Sequence, residues 1–90
     1  MAKKRERLEV IRDILRVIRD SNNSIKPTPL LRKSNMSTKR FNKYYSELQK
    51  KDFVKEIITK KGKELALTEK GFQYLHRYSI IKEFVKEFEL

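Results

Sequence analysis

The sequence predicts a small α+β fold that is mostly helical. Apolar residues recur at intervals of three and four along several stretches, which is the spacing of amphipathic helices. The 90 residues include only two Gly and two Pro, so a turn-rich all-β fold is disfavoured. After Phe53 the spacing changes to one that favours two short strands. With 38% hydrophobic residues, the chain has enough apolar side chains to fold rather than stay disordered.

The first helix is predicted from about Arg5 to Asp20, after a short N-terminal arm that we expect to fray. One face of this helix carries five apolar residues: Leu8, Ile11, Ile14, Leu15 and Ile18. Charges of opposite sign three or four positions apart, such as Glu9 and Arg12, occupy the remaining surface. Such pairing is typical of a solvated helix face.

Two further helices follow at the spacing of a helix-turn-helix. Thr28 and Pro29 predict a start, with Thr28 as the cap of a short helix reaching about Ser34. A three-residue turn comes next, and Ser37 is placed to cap a third helix that reaches about Lys50. Two helices joined by so short a turn are the arrangement of that motif.

The third helix separates apolar and basic residues. Its apolar side is predicted to hold Phe41, Tyr44, Tyr45 and Leu48, and its opposite side Lys39, Asn42, Lys43, Ser46 and Lys50. Glu47 offers the one nearby carboxylate. Residues 26–63 hold 12 Lys and Arg against 3 Asp and Glu, a large part of the net charge of +11. Since unpaired like charges repel, this concentration predicts a polyanionic partner.

A basic β-hairpin is predicted after the third helix. Val54–Thr59 and Glu64–Leu67 read as strands joined by a turn at Gly62. We expect inward side chains at Val54, Ile58, Leu65 and Leu67, and a basic tip at Lys60, Lys61 and Lys63. Helix, helix-turn-helix and basic hairpin, in that order, predict a winged helix.

The last helix is predicted from a cap at Thr68 to about Glu89. Phe72 and Leu75 should face the domain body. A heptad seam of apolar residues lies on another face, and we predict a coiled-coil-like dimer contact at Tyr74, Tyr78, Ile81, Phe84, Val85 and Phe88. The alternative is that the helix packs on the first helix of its own chain. We therefore divide the chain into a winged-helix domain at 1–70 and a dimerisation helix at 71–90.

The third helix and the hairpin tip form the candidate DNA site. A major groove accepts one helix, and the residues near the helix N-terminus reach base edges. Asn42 could bond adenine at two points, whereas the lysines would mainly attract phosphates. The alternative is a merely solvated basic face. The predicted DNA-binding residues are Arg32, Lys33, Ser37, Thr38, Lys39, Arg40, Asn42, Lys43, Ser46, Lys60, Lys61 and Lys63.

Catalysis and metal binding find no support in the sequence. There is no Cys and a single histidine, His76, which helical spacing places away from both apolar faces. Asp52 and Glu56 are isolated carboxylates, and we find neither a phosphate-binding glycine loop nor a nucleophile motif. We therefore expect no catalytic residues, no metal, no cofactor and no small-molecule substrate. With no apolar run near ~20 residues, we expect no membrane partner and a cytoplasmic, nucleoid-associated protein.

Two stretches resemble a known family. "TPLLRKSNMSTKRFNKYYSELQKKDFV" followed by "LALTEKGFQYL" is similar to the small archaeal winged-helix DNA-binding proteins, including the 10a-type dimeric chromatin-associated proteins. The resemblance implies a winged helix whose C-terminal helix pairs with its twin as an antiparallel coiled coil. It also implies DNA contact through residues 37–46 and through the wing at residues 60–63.

These observations together predict a homodimer that binds double-stranded DNA with modest sequence preference. Transcriptional regulation and chromosome architecture both fit. Two alternatives from other classes stay open at this point. One is a ribosome-associated RNA-binding protein, because a basic winged helix can also follow structured RNA. The other is a protein-interaction module that uses the C-terminal helix.

Overall fold

Four helices and one antiparallel pair of strands form the part of the chain that the structure describes. The structure is a computed structural model describing the backbone of residues 2–89 and the side chains of residues 7–89. The elements are α1 (Ala2–Asp20), α2 (Pro27–Lys33), α3 (Thr38–Lys50), β1 (Val54–Thr59), β2 (Gly62–Leu67) and α4 (Glu69–Glu87). The predicted mostly helical α+β fold is confirmed. The backbone is helical from Ala2, so the expected frayed arm is wrong.

The core lies where α1 packs on the helix-turn-helix, the base of the hairpin and the start of α4. α1 contributes Ile11, Ile14, Leu15 and Ile18, and the other elements contribute Leu30, Phe41, Leu48, Val54, Leu65, Leu67 and Leu75. Four of the five apolar residues predicted for the α1 face are buried. Leu8 is 41% exposed, because it lies toward the end of α1 that extends past the core.

α2 begins two residues earlier than predicted, at Pro27. Lys26 is the residue before the helix, with an extended backbone (φ −76°, ψ 154°) and no side-chain cap. Thr28 is therefore inside the helix, and its prediction as the cap is wrong. Pro27 accounts for the shift, since proline suits the first helical position and forces the preceding residue into an extended conformation.

α3 begins as predicted. The Ser37 hydroxyl oxygen accepts a hydrogen bond from the Arg40 backbone N–H at 3.2 Å. This satisfies one of the free amides of the first turn. Asn35 (φ 54°) and Asp52 (φ 62°) follow α2 and α3 in the left-handed region, which Asn and Asp tolerate better than most residues.

The hairpin pairs Val54 with Leu67 at its base and Thr59 with Gly62 at its tip. A third segment extends the sheet at Ile25, which exchanges backbone hydrogen bonds with Leu65 at 3.1 and 2.7 Å. The expected inward position of Ile58 is wrong, since its side chain is 80% exposed. The reason is that only the base of the hairpin lies on the core, while its outer half projects beyond it.

Thr68 and Gly71 join the hairpin to α4. The Thr68 hydroxyl donates to the Asp52 carbonyl at 2.6 Å and accepts from the Gly71 N–H at 3.1 Å. Gly71 is buried against the Phe53 carbonyl oxygen, so closely that no Cβ would fit between them. Thr68 is confirmed as the cap, and the first turns of α4 are thereby fixed to the end of α3.

Candidate nucleic-acid interface

The orientation of α3 is set by its apolar side. Phe41 and Leu48 are buried in the core, and Tyr44 and Tyr45 are half-buried against it. The rings of Phe41 and Tyr45 stack with centroids 5.9 Å apart. Because these aromatic rings pack inward, the opposite side of α3 faces solvent along its whole length.

That opposite side is a continuous polar and basic surface, which we term the recognition face: Thr38, Lys39, Asn42, Lys43 and Ser46. All five side chains are exposed. Among the described side chains, no carboxylate oxygen lies within 4.0 Å of the Lys39 or Lys43 ammonium group. The predicted residue Ser37 lies at its edge, where its hydroxyl caps α3.

The one carboxylate of α3 is paired with a residue of α1. Glu47 forms a two-point ion pair with Arg7 of α1: Arg7 Nε donates to Oε1 at 3.2 Å, and Nη2 contacts Oε2. The two residues are 40 positions apart, so sequence periodicity could not have revealed this pair. Its consequence is that Glu47 does not neutralise the neighbouring lysines. A shallow cleft of about 550 Å³ lies beside the pair and adjoins Lys43, Ser46 and Lys50.

Three further predicted residues lie at the end of α2 and in the first turn of α3. Arg32 and Lys33 are exposed at the end of α2. Arg40 is exposed in the first turn of α3, and its guanidinium carbon lies 5.8 Å from the centre of the Tyr44 ring. These cations extend the positive surface toward the turn of the helix-turn-helix.

The wing tip, residues 59–63, presents two of its three predicted lysines to solvent with no carboxylate of the described side chains within 4.0 Å. Lys60 and Lys61 are exposed at the turn, which the Thr59 hydroxyl stabilises by accepting from the Lys61 N–H at 3.1 Å. Gly62 takes a φ of 111° there, in the left-handed range that favours glycine. Lys63 differs, because its ammonium nitrogen lies 3.2 Å from a Glu56 carboxylate oxygen.

The Glu56 carboxylate connects the wing to α3. The same oxygen that pairs with Lys63 accepts from the Tyr45 hydroxyl at 2.9 Å and from the Gln49 amide at 3.1 Å. The hydrogen bonds from Tyr45 and Lys63 lower the pKa of Glu56 below its usual value. Burial and the same carboxylate raise the pKa of Tyr45 above its usual range. These contacts set the position of the wing relative to the recognition face.

The six residues predicted for a dimer contact fall into two groups on α4. Tyr74 packs within its own chain, since its ring lies 5.3 Å from that of Phe53 and its hydroxyl donates to the Leu8 carbonyl at 2.9 Å. Burial and the neighbouring Tyr78 raise the pKa of Tyr74 to about 12. Tyr78 is half-buried beneath the Arg12 guanidinium.

The second group forms an exposed apolar surface at the far end of α4. Ile81, Phe84 and Phe88 are 60%, 53% and 58% exposed, and Ile80 beside them is 52% exposed. Val85 is partly buried among them. We term these five residues the distal strip. The first half of α4 thus packs on α1 and β2, as in the alternative prediction, while the second half leaves the domain body.

Other chemistry is sparse among the described side chains. They contain no cluster of His, Asp and Glu that could hold a metal ion, and His76 is exposed. None of the described helices has both the length and the apolar character needed to cross a membrane. The predictions that the protein is no enzyme and uses no cofactor stay predictions.

Comparison with known proteins identifies the fold family. A family model described as winged helix-turn-helix matches residues 4–86, which is nearly the whole chain. Neither the curated proteins nor the solved structures include a match to it.

Proposed function

The chain belongs to the winged helix-turn-helix family, and from that premise we propose that it binds double-stranded DNA as a homodimer. The recognition face would enter the major groove, and Lys60 and Lys61 of the wing tip would contact the adjacent backbone. The role we propose is transcriptional regulation or chromosome architecture, exercised on DNA in the cytoplasm. This role agrees with the resemblance to the small archaeal 10a-type proteins.

The observation that carries the proposal is that Lys39 and Lys43 of α3 have no neighbouring carboxylate to neutralise their charge. Lys39 and Lys43 project to solvent with no described carboxylate within 4.0 Å, and Glu47 is held by Arg7. Like charges one helical turn apart repel each other. A duplex that supplies phosphates at this surface removes the repulsion and releases counterions, which is the main source of non-specific affinity.

Modest sequence preference follows from the residue types on the recognition face. Asn42 is exposed and makes no side-chain hydrogen bond with another described residue, so its amide is available to bond adenine at two points. Lysine is a flexible point charge, which suits phosphate better than a defined base edge. Phosphate contacts fix position on the duplex but carry no sequence information.

The homodimer is proposed on the distal strip. Four exposed large apolar side chains on one helix end favour burial against another surface. Seam residues at steps of three and four are typical of helix pairing. Tyr78 and Phe88 are equally far from Glu83 in the sequence, and so are Ile81 and Val85. In an antiparallel pair centred on Glu83, Tyr78 therefore meets the partner's Phe88 and Ile81 meets the partner's Val85. A second copy therefore complements this face with the same residues.

The salt dependence of DNA binding tests the proposal. If each subunit neutralises ~4 phosphates, the slope of log K against log salt on random duplex is about −7. Replacing Lys39 and Lys43 with Ala should bring the slope to about −3.5, since four of the dimer's cations are lost. Lys70→Ala with Lys86→Ala, on α4, removes the same charge and should leave most of the slope unchanged.

Two outcomes would contradict the proposal. A slope near zero for the wild-type protein would exclude the electrostatic mechanism. If the Lys39/Lys43 variant and the Lys70/Lys86 variant reduce the salt slope equally, DNA binding depends on net charge and not on the recognition face. Competition between duplex DNA and structured RNA at the same salt concentration then decides the class of nucleic acid, and stronger binding to RNA would replace DNA as the ligand.

A further inference from the structure

Ile58 is an apolar side chain in an otherwise basic part of the wing. At 80% exposure it is the most exposed large apolar side chain in the part of the chain that the structure describes. It directly precedes the wing tip and is paired with Lys63 on β2. An isolated apolar residue on a protein surface is common and needs no explanation by itself. The face on which Ile58 lies and the residues around it are what make it informative.

The face of the wing that carries Ile58 is the one next to α3. Side chains alternate between the two faces along a strand, so Val54, Glu56 and Ile58 share one face of β1. Val54 is buried in the core. The Glu56 carboxylate accepts hydrogen bonds from Tyr45 and Gln49 of α3. Ile58 follows on the same face, two residues or about 7 Å further toward the tip.

Ile57 lies on the opposite face of the wing. It is paired with Glu64 on β2, whose carboxylate accepts hydrogen bonds from Thr59 and from Ser24. Ser24 belongs to the segment between α1 and α2, so this face turns away from α3. The chain thus carries the same residue type at adjacent positions on the two faces, which provides a matched comparison.

Lysines surround Ile58. Lys60 and Lys61 are exposed at the tip, and Lys63 lies directly across the strand pair. An exposed isoleucine favours contact with an apolar surface, whereas the lysines favour anions. A complementary ligand must therefore offer apolar surface bordered by negative charge. The deoxyribose rings of a DNA strand, with a phosphate on either side of each ring, have this chemistry.

The proposed position of α3 brings such a surface to the wing. If the recognition face lies in the major groove, the next groove across one sugar-phosphate strand is the minor groove. The minor groove of B-DNA is about 6 Å wide, so a side chain inside it can contact deoxyribose on its walls. Proteins that bind the minor groove frequently place apolar side chains there, isoleucine among them.

We propose that Ile58 enters the minor groove beside α3 and packs on deoxyribose, while Lys60 and Lys61 bind the phosphates at its edges. This inference rests on the proposed DNA binding and makes the wing selective for DNA over RNA. An RNA duplex has a wide, shallow minor groove that displays 2′-hydroxyl groups. Packing an isoleucine against hydroxyl groups would remove their hydrogen bonds to water, which is unfavourable.

Isoleucine truncations on the two faces of the wing test the inference. Ile58→Ala should weaken binding to duplex DNA about tenfold or more, because each of two subunits loses buried apolar area. Binding to an RNA duplex of the same sequence should change by less than about twofold. The slope of log K against log salt should stay within about 0.5 of the wild-type value, since no cation is removed. Ile57→Ala is the matched control and should change neither affinity by more than about twofold.

Fluorescence anisotropy titrations measure the affinities and slopes, and circular dichroism confirms that each variant is folded. Equal losses of DNA affinity in the two isoleucine variants would overturn the inference, and so would an equal loss of DNA and RNA affinity in Ile58→Ala. A changed salt slope in Ile58→Ala would also overturn it, because the side chain would then act by positioning the lysines. In each of these cases DNA binding itself stands. If the wild-type protein does not bind duplex DNA, the proposed function fails.

Discussion

The recognition face of α3 and the distal strip of α4 are surfaces of opposite chemistry with one common property. On α3 the apolar side chains are buried, while the Lys39 and Lys43 ammonium groups have no carboxylate within 4.0 Å among the described side chains. On the distal half of α4 the reverse holds, because large apolar side chains stay exposed while charged residues occupy the remaining faces. Both faces lack a complementary surface among the described residues of the chain.

The difference between the two faces indicates two different partners. Cations without counter-charges favour a polyanion, and that attraction weakens as salt screens it. Exposed Ile and Phe favour an apolar surface, and burial of apolar area does not depend on screening. DNA binding and assembly should therefore respond differently to salt and can be disrupted separately.

The largest expected effect comes from introducing charge into the distal strip. Ile81→Asp with Val85→Asp would place four carboxylates in the dimer seam, and burying unpaired charges is costly. We expect the dimer dissociation constant to rise more than ~100-fold, with light scattering reporting a monomer mass. The DNA salt slope should fall from about −7 to about −3.5, because each monomer contacts half as many phosphates.

Ile58→Asp provides the matched control for this pair. Ile58 is 80% exposed on the wing, so an aspartate there meets water and should leave the mass of the assembly unchanged. A dimer mass that persists in the α4 double variant would show that the seam assignment is wrong.

The second prediction separates the two halves of α4. Gly71 lies against the Phe53 carbonyl, so Gly71→Ala forces the start of α4 away from β1. We expect a loss of about 3 kcal/mol in the free energy of unfolding, measured by urea denaturation. Gly62→Ala is the control, since nothing lies within 4 Å of an added Cβ there. Gly62→Ala should lower the free energy of unfolding by about 1 kcal/mol, because an alanine there must adopt a left-handed backbone.

An equal loss of stability in both glycine variants would contradict the close packing of α4 on Phe53. The distal strip provides a further contrast. Phe88→Ala lies just beyond the last residue of α4, in the exposed distal strip, and should not lower the stability of the monomer by more than about 0.5 kcal/mol.

The third prediction distinguishes the lysines of the wing. Lys60→Ala with Lys61→Ala should weaken binding to random duplex and flatten the salt slope by about 3.6 for the dimer, since four of its cations are lost. Lys63→Ala should change the slope by less than about 1, because Glu56 already neutralises that ammonium group. Fluorescence anisotropy titrations at several salt concentrations measure both slopes. A slope change for Lys63→Ala as large as that of either tip lysine would show that the pair opens on DNA.

Helical periodicity accounts for most of what the sequence predicts correctly. It separates the buried residues Phe41 and Leu48 from the exposed residues Lys39 and Lys43, because position along a helix determines the face. Capping chemistry likewise identifies Ser37 and Thr68. These inferences succeed since they depend on residues that are near each other in the chain.

The failures have a common physical cause as well. The Arg7–Glu47 pair, the Ile25–Leu65 bridge and the contacts of Glu56 depend on elements that meet only in the folded chain. Ile58 has the alternation of a half-buried strand, but the strand extends past the core that would cover it. Tyr74 fits the heptad spacing of the predicted seam, but that spacing does not reveal that its hydroxyl donates to the Leu8 carbonyl and that its ring packs on Phe53. Spacing alone therefore cannot tell an intramolecular contact from a contact with a partner.

The smallest expected effect concerns the Glu56 carboxylate, which holds the recognition face and the wing in a fixed relation. Hydrogen bonds from Tyr45 and Lys63 lower the pKa of Glu56 in the folded protein. Its contribution to stability is therefore present above the unfolded pKa of about 4.3 and is lost as the pH falls through the lower folded value. Glu64 adds a similar dependence, because hydrogen bonds from Ser24 and Thr59 lower its pKa too.

Glu56→Gln removes one of these two titrating groups and keeps an oxygen that can accept from Tyr45. The decrease in urea midpoint between pH 7 and pH 3 should therefore be smaller in this variant than in the wild type, with the remainder due in part to Glu64. The variant also frees the Lys63 ammonium group, so its DNA salt slope should become steeper by up to about 1.8 for the dimer. An unchanged pH dependence together with an unchanged slope would show that Glu56 neither stabilises the wing nor restrains Lys63. A smaller pH dependence of the urea midpoint together with a steeper DNA salt slope would mean that the Glu56 carboxylate has two roles. It would fix the position of the wing and also limit the number of cations that the wing presents to DNA.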